Sequence, residues 1–293
     1  MGLSGFAQGR YAIGEASYFV AQGGDGPPVV LLHGFPETHL CWREVAPRLS
    51  HRHRVVVPDL RGYGETRAPA GGPHGEGYSK REMAAELVEL MAACGHDRFA
   101  VVGHDRGARV AFRLALDHPE RVTRSALLNI VPTIDQFERM AAGPSLGYWA
   151  WFLLAQPAPF PERIIAADPD GVLEHIFGTW SSRPEAISPE NRDAYLRALT
   201  PPTIAAMCAD YGASFHPDRA HEADDRADGR RITAPVLVVT GEDEAQFADA
   251  HDVWRAWAED VRAAQVPGGH FVPEEAAEEL AEVLGGFLEP RRV

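Results

Sequence analysis

The chain is poor in cysteine, in positive charge and in long apolar runs, and each shortage excludes something. Its three cysteines, Cys41, Cys94 and Cys208, are widely spaced and odd in number. They form neither a disulfide framework nor a zinc spacing, so reduced thiols in a cytoplasmic protein are expected. The 28 Lys and Arg residues stand against 42 Asp and Glu, a formal net charge of -14. That balance argues against nucleic acid or an anionic membrane surface as a partner. A small anionic organic substrate remains compatible with it, because two nearby arginines outweigh charges that salt screens at a distance. The N-terminus lacks a basic segment followed by an apolar core, so no signal peptide is expected. The most apolar window, residues 146–155, is too short to cross a bilayer. There is no Gly-x-Gly-x-x-Gly or phosphate loop and no His/Cys/Asp/Glu set at ligand spacing, so neither a nucleotide cofactor nor a metal is expected.

What is present is an alternation. Short apolar runs at 17–21, 29–32, 54–58, 99–102, 125–130, 235–241 and 262–266 read as strands, most of them buried on both faces. Helical patterns lie between them at 42–49, 79–94, 106–116, 253–258 and 273–288, the second opened by the capping box Ser79–Glu82. This is an α/β chain with a mostly parallel sheet flanked by helices. From 132 to 231 the strand pattern stops, and aromatics, prolines and helical patches at 146–155, 171–180 and 192–199 replace it. The spacing predicts a core domain made of 1–131 and 232–293 with a helical cap, 132–231, inserted into it.

The chemistry concentrates where the run 99–102 breaks into Gly103-His104-Asp105-Arg106-Gly107. This is the small-x-nucleophile-x-small pattern of a strand-to-helix elbow, with Asp105 at its apex. Asp is also a common helix N-cap. The elbow spacing, together with the Gly268-Gly269-His270 loop after the last strand, favours a nucleophile and its histidine. Arg106 and Arg109 lie one turn apart, so both can address one anion, and two forked guanidiniums suit a carboxylate. His51 and His53 read as solvated, and His33 and His104 as supports of loop geometry.

Four motifs together resemble the α/β-hydrolase superfamily in its haloalkane dehalogenase and epoxide hydrolase branch: His33-Gly34-Phe35-Pro36, Asp59-Leu60-Arg61-Gly62-Tyr63-Gly64, the elbow through Arg109, and Gly268-Gly269-His270-Phe271. The chain most resembles the fluoroacetate (haloacetate) dehalogenases, on the run from Asp105 to Arg109, on Leu154-Ala155-Gln156-Pro157-Ala158-Pro159, and on Asp210-Tyr211. The resemblance implies that Asp105 displaces halide to form an ester, which water activated by His270 then hydrolyses. It implies an oxyanion hole from the N–H groups of Phe35 and Arg106, a carboxylate clasp from Arg106 and Arg109, and a homodimer.

Two family positions differ. The family's cap binds halide with a His-Trp pair and a Tyr; Trp151 and Tyr211 match, but the His position is Ala150. Chloro- or bromoacetate is therefore expected to be a better substrate than fluoroacetate. Trp180 either lines the same pocket or packs in the cap. The family's triad Asp is replaced by Asn129, which cannot stabilise an imidazolium as a carboxylate does. The loop after the next strand offers Glu244, favoured by its spacing from Gly241, with Asp243 close behind. Two other functions fit the same residues: an epoxide hydrolase using Tyr148 and Tyr211, and a non-catalytic organic-acid-binding homologue.

Overall fold

A computed structural model describes residues 2–142 and 146–289. Eight strands form one sheet: β1 (Ala7–Ile13), β2 (Ala16–Gly23), β3 (Pro28–Leu32), β4 (Arg54–Pro58), β5 (Phe99–His104), β6 (Val122–Leu128), β7 (Val236–Gly241) and β8 (Val261–Val266). Their order is β1-β2-β4-β3-β5-β6-β7-β8. The first two are antiparallel to their neighbours, and β4, β3 and the rest run parallel.

Alternate residues of each central strand enter opposite faces, as a period of two requires. Val30, Leu32, Val56, Val101 and Leu127 join the core under helices Lys80–Ala93 and Arg106–Asp117. Val29, Leu31, Val55, Val102 and Leu128 join the core under Val45–Leu49 and Ala277–Leu288. Both faces are covered, which is why these strands are almost continuously apolar.

Between β6 and β7 the described residues are helical, in Thr133–Ala142, Trp149–Leu154, Phe160–Ala167, Pro169–Trp180, Pro189–Ala198, Pro201–Ala213 and Arg219–Ala227, with a π-helical turn at Ser214–Asp218. Three of them open alike: Asp168, Ser188 and Thr200 cap with their side chains and proline follows.

Some expectations needed correction. β1 lacks an apolar signature because most of its residues are exposed or half-buried at the sheet edge. The segment 42–49 divides into a 3-10 turn, His39–Trp42, and a short helix. The helix expected at 253–258 is Ala250–Trp254. The last helix breaks at Ala276, where φ is -141°. His53 is buried rather than solvated.

Candidate active site

β5 ends at His104 and the next helix starts at Arg106, so Asp105 turns the chain alone, at φ 45° and ψ -112°. A side-chain-bearing residue at such a φ costs about 1–3 kcal/mol and persists only where its surroundings enforce it. The surroundings here are two glycines. A Cβ on Gly103 would lie 2.4 Å from the Gly107 carbonyl oxygen, and one on Gly107 would lie 2.4 Å from that of His33. Asp105 is 7% exposed. Its Oδ1 accepts the Phe35 N–H at 3.0 Å, and its Oδ2 lies 3.8 Å from His270 Nε2. The Arg106 N–H, in the first helical turn, has no intrahelical acceptor. Burial pushes the Asp105 carboxyl up, but the facing His270, then Arg106 and His104, hold it well below the usual carboxylate range.

His270 follows β8 and is buried between two carboxylates. Its Nδ1 lies 3.7 Å from Glu244 Oε1, and its Nε2 makes no hydrogen bond within the protein. Burial lowers its pKa, yet Asp105 and then Glu244 raise it to about 9. The ring stands edge-on to Trp180, with centroids 5.5 Å apart. Asp243 lines the cavity but forms no ion pair with the imidazole, so of the two expected acids only Glu244 is brought to the ring.

Asn129, at the position of the family's triad acid, lines the cavity. Its side chain bonds backbone rather than the ring, donating to the carbonyls of Gly269 at 3.0 Å and His270 at 2.7 Å and accepting the Gly241 N–H at 2.9 Å. It ties the ends of β6 and β7 to the histidine loop, and it does so at a φ of 52°. His104 adds Glu37 to this arrangement, with its Nδ1 2.9 Å from Glu37 Oε2 and its Nε2 2.7 Å from the His270 carbonyl.

The two arginines, expected to act as a pair, are placed differently. Arg106 is fully buried and is absent from the cavity lining. Its Nε donates to Asp210 Oδ2 at 2.9 Å, and its Nη2 donates to Asp210 Oδ1 at 3.0 Å and Ser214 Oγ at 2.8 Å. Asp210 also takes bonds from Tyr63 and from Lys80, the chain's single lysine. This matched pair raises the Arg106 pKa and holds Asp210 far down, against the burial of each. Arg106 Nη1 is buried without a hydrogen-bond partner, and the guanidinium carbon lies 4.2 Å over the Tyr211 ring.

Arg109 lines the cavity. Its Nη1 donates to the Val131 carbonyl at 3.1 Å and Thr133 Oγ1 at 3.2 Å, and among the described residues it forms no ion pair within 4 Å. Burial, then the charge of Arg106, lowers its pKa to about 10. Nearby Glu222, accepting the Ile134 N–H at 2.8 Å, is pushed up to about 7 by burial. The charges of Asp105 and then Glu222 act back on Arg109 to raise its pKa, and Arg109 is the arginine that lines the cavity.

Asp105, Arg109, Trp151, Tyr211, Trp180 and His270 meet in one cavity of about 770 Å³. Trp151 lies over Arg109, with the guanidinium carbon 4.6 Å from its ring centroid, and edge-on to Tyr211 at 5.6 Å. Burial, then the charge of Asp105, raises the Tyr211 pKa well above its ordinary value, so the phenol stays a donor. Ala150 is fully buried and lies outside the lining, a correction to its place among halide contacts. Gln136, Tyr148, Trp149 and His175 also line the cavity. Gln136 and His175 had no sequence signal, being single polar residues in inserted helices. Asp210 entered only through the resemblance; its ion pair with Arg106 follows from the burial of that arginine, which only the fold shows.

Among the described residues no group of three or more His, Cys, Asp or Glu side chains is placed to hold a metal ion, and no helix is long and apolar enough to cross a membrane.

Comparison with known proteins gives a family and two kinds of relative. Residues 27–277 match the family model of the alpha/beta hydrolase fold. A fluoroacetate dehalogenase of Burkholderia sp is 38% identical, covering 99% of this chain and 96% of its own. A soluble epoxide hydrolase of Corynebacterium sp. (strain C12) is 31% identical over 92% of each chain. The crystal structure of a protein from Nostoc sp PCC 7120 superposes with a TM-score of 0.91 at 42% identity, over 97% of this chain and 98% of that one.

Proposed function

On the premise that this chain belongs to the alpha/beta hydrolase fold family, a family of hydrolytic enzymes, we propose that it cleaves the carbon–halogen bond of a short 2-haloacid through an aspartyl ester. The observation that carries this reading is the cavity itself. A carboxylate at a strained elbow and an arginine that pairs with no carboxylate within 4 Å among the described residues open into the same space.

The substrate carboxylate pairs with Arg109, with Arg106 adding positive charge from behind. This binding sets the carbon next to the carboxylate near Asp105 Oδ2, while Phe35 N–H holds Oδ1. Oδ2 attacks that carbon in line. The new C–O bond forms as the C–X pair leaves with the halide, which Trp151 and Tyr211 receive. His270, at 3.8 Å from Oδ2, is spaced to take a proton from a water that adds to Cγ of the ester. The charge then developing on Oδ1 meets the N–H groups of Phe35 and Arg106. Collapse breaks the acyl C–O bond, the imidazolium returns its proton to the leaving alkoxide, and a 2-hydroxy acid departs. Glu244 supports the imidazolium from the Nδ1 side. With Ala150 in place of a donor, chloro- and bromoacetate are the better substrates.

The substrate in this reading is a small organic anion, with neither nucleic acid nor membrane as partner and no cofactor in any step. A homodimer belongs to the same reading, with Phe152, Phe160 and Ile164 as exposed apolar residues on the inserted helices. One observation favours a second reading: Tyr148 and Tyr211 both line the cavity, and two phenols can protonate an opening epoxide. A non-catalytic acid-binding role leaves the aligned Glu244, His270 and Asp105 without a task.

The deciding experiment is one panel of fluoro-, chloro- and bromoacetate, 2-halopropionates and two epoxides, assayed for halide and diol with Asp105→Asn as control. Halide release lost in the control supports dehalogenation. Diol without halide supports the second reading, and binding of glycolate without turnover supports the third.

A further inference from the structure

Glu275 is five residues beyond His270, in the turn Val272–Glu275, and is 5% exposed. Among the described residues no arginine, lysine or histidine pairs with it; its partners are backbone and one hydroxyl. Oε1 accepts the Phe271 N–H at 2.8 Å. Oε2 accepts the Gly269 N–H at 2.9 Å, the N–H groups of Ser182 and Arg183 at 3.0 Å each, and the Ser182 hydroxyl at 3.1 Å. Five donors converge on one carboxylate, and bonds to an ionised acceptor are the strong kind.

The identity of those donors matters. Gly269 and Phe271 flank His270, so the two oxygens grip the backbone on either side of it. Ser182 and Arg183 follow the inserted helix Pro169–Trp180, whose last residue accepts the His270 N–H at 3.0 Å on its carbonyl. The glycines of this loop serve the same grip: a Cβ on Gly268 would lie 2.9 Å from Glu275 Cβ, and one on Gly269 would lie 2.7 Å from the Ser182 nitrogen. Among the described residues His270 makes no short side-chain hydrogen bond, at 3.8 Å from Asp105 and 3.7 Å from Glu244. Its ring packs against Trp180 and His104, with centroids 5.5 and 5.1 Å away, and its backbone sets how it enters that packing.

We propose that Glu275 is a positioning residue for His270, clamping the histidine loop to the end of the inserted helix so that the imidazole reaches the water of the second, ester-cleaving step. This rests on the two-step reading above.

The consequence is kinetic and specific to one step. Glu275→Gln sets an NH₂ group against donors that need an acceptor and loosens the loop. Displacement of halide uses Asp105 and Arg109 and proceeds as before, while hydrolysis slows. With chloroacetate, kcat is expected to fall on the order of 10- to 100-fold, KM to fall with it, and kcat/KM to stay within about threefold. The ester accumulates as a mass increase on the Asp105 peptide. Glu275→Asp, too short to reach both flanks, shows the same pattern at smaller amplitude and serves if the Gln variant does not fold. An unchanged kcat, or kcat and kcat/KM falling together at unchanged KM, overturns the proposal.

Amide exchange separates this from the functional reading. Faster exchange at Gly269, Phe271 and Ser182 with unchanged β5 protection supports the clamp even if no haloacid is turned over. Unchanged exchange at those amides refutes the clamp whatever the substrate is.

Discussion

Glu244 reaches the Nδ1 side of His270 at 3.7 Å, while Asp243, its neighbour in sequence, forms no ion pair with the ring. The polarity of the site follows from this. The Asp105 carboxylate on one side of the imidazole and the Glu244 carboxylate on the other raise its pKa to about 9 in the free protein. In the proposed reading the ester removes the Asp105 charge, and the ring gives its extra proton to solvent and can act as base. Glu244 supports the imidazolium formed when the ring takes the proton of the water. Glu244→Gln is therefore expected to lower kcat by at least about 100-fold, with ester accumulating, and Asp243→Asn by at least tenfold less. Single-turnover kinetics with bromoacetate measures both.

The division between the arginines gives a second contrast. Arg109 presents its charge to the cavity, whereas Arg106 spends two of its nitrogens on Asp210. Arg109→Gln should leave thermal stability within a few degrees and raise KM for haloacids by about 30-fold or more, the loss of one charge-assisted contact. Arg106→Gln strands Asp210 in a buried site shared with Lys80, and breaking such a pair costs about 3–5 kcal/mol. Its Tm is expected to fall first and most. Equal KM effects at unchanged Tm would show that the two act alike.

These contrasts also show what sequence alone could carry. The elbow was legible because its glycines are enforced by backbone approaching within 2.4 Å, a constraint that only one residue type satisfies. The central strands were legible because both faces are buried and leave a continuous apolar run. Arg106 and Arg109 were legible as a pair but not as unequal partners, since what distinguishes them is Asp210, more than a hundred residues away. The task of Asn129 was not legible for a similar reason: its partners are the carbonyls of Gly269 and His270, and backbone partners leave no mark on sequence. β1 was missed because an edge strand with one exposed face lacks the apolar signal of the others.

Stability should report the Asp105–His270 pair through pH. The pKa of His270 is raised in the folded state, from 6.5 to about 9. A raised basic group stabilises fully below its unfolded value and loses that contribution as pH climbs through the folded value. Tm should therefore decline between about pH 6.5 and pH 9. The depressed Asp105 acts oppositely, contributing above its ordinary value of 3.8 and losing that contribution as pH falls below it. Asp105→Asn removes the partner that does most to raise the histidine, so its Tm profile should be flatter over the alkaline range. Parallel profiles for the two proteins would separate His270 from Asp105 in energy despite their distance.

In the proposed reading, halogen preference depends on donors, not on the nucleophile. Fluoride is small and strongly hydrated, and leaves only if hydrogen bonds replace its water. Tyr211 keeps its proton and faces the cavity, and Trp151 stands edge-on beside it. Ala150 offers no side-chain donor and is fully buried outside the cavity lining. One hydrogen bond to a charged group is worth about 1.5–3 kcal/mol, or about 10- to 150-fold in rate. Chloroacetate and bromoacetate are therefore expected to exceed fluoroacetate in kcat/KM by at least tenfold beyond the assay's blank-corrected detection limit, read by halide-selective electrodes. Trp151→Phe removes one of the two remaining donors while keeping an aromatic ring over Arg109. Because bromide is large and weakly hydrated, that variant should depress fluoride release more steeply than bromide release. An equal loss for both halides would place Trp151 with Arg109 in carboxylate binding instead of at the leaving group.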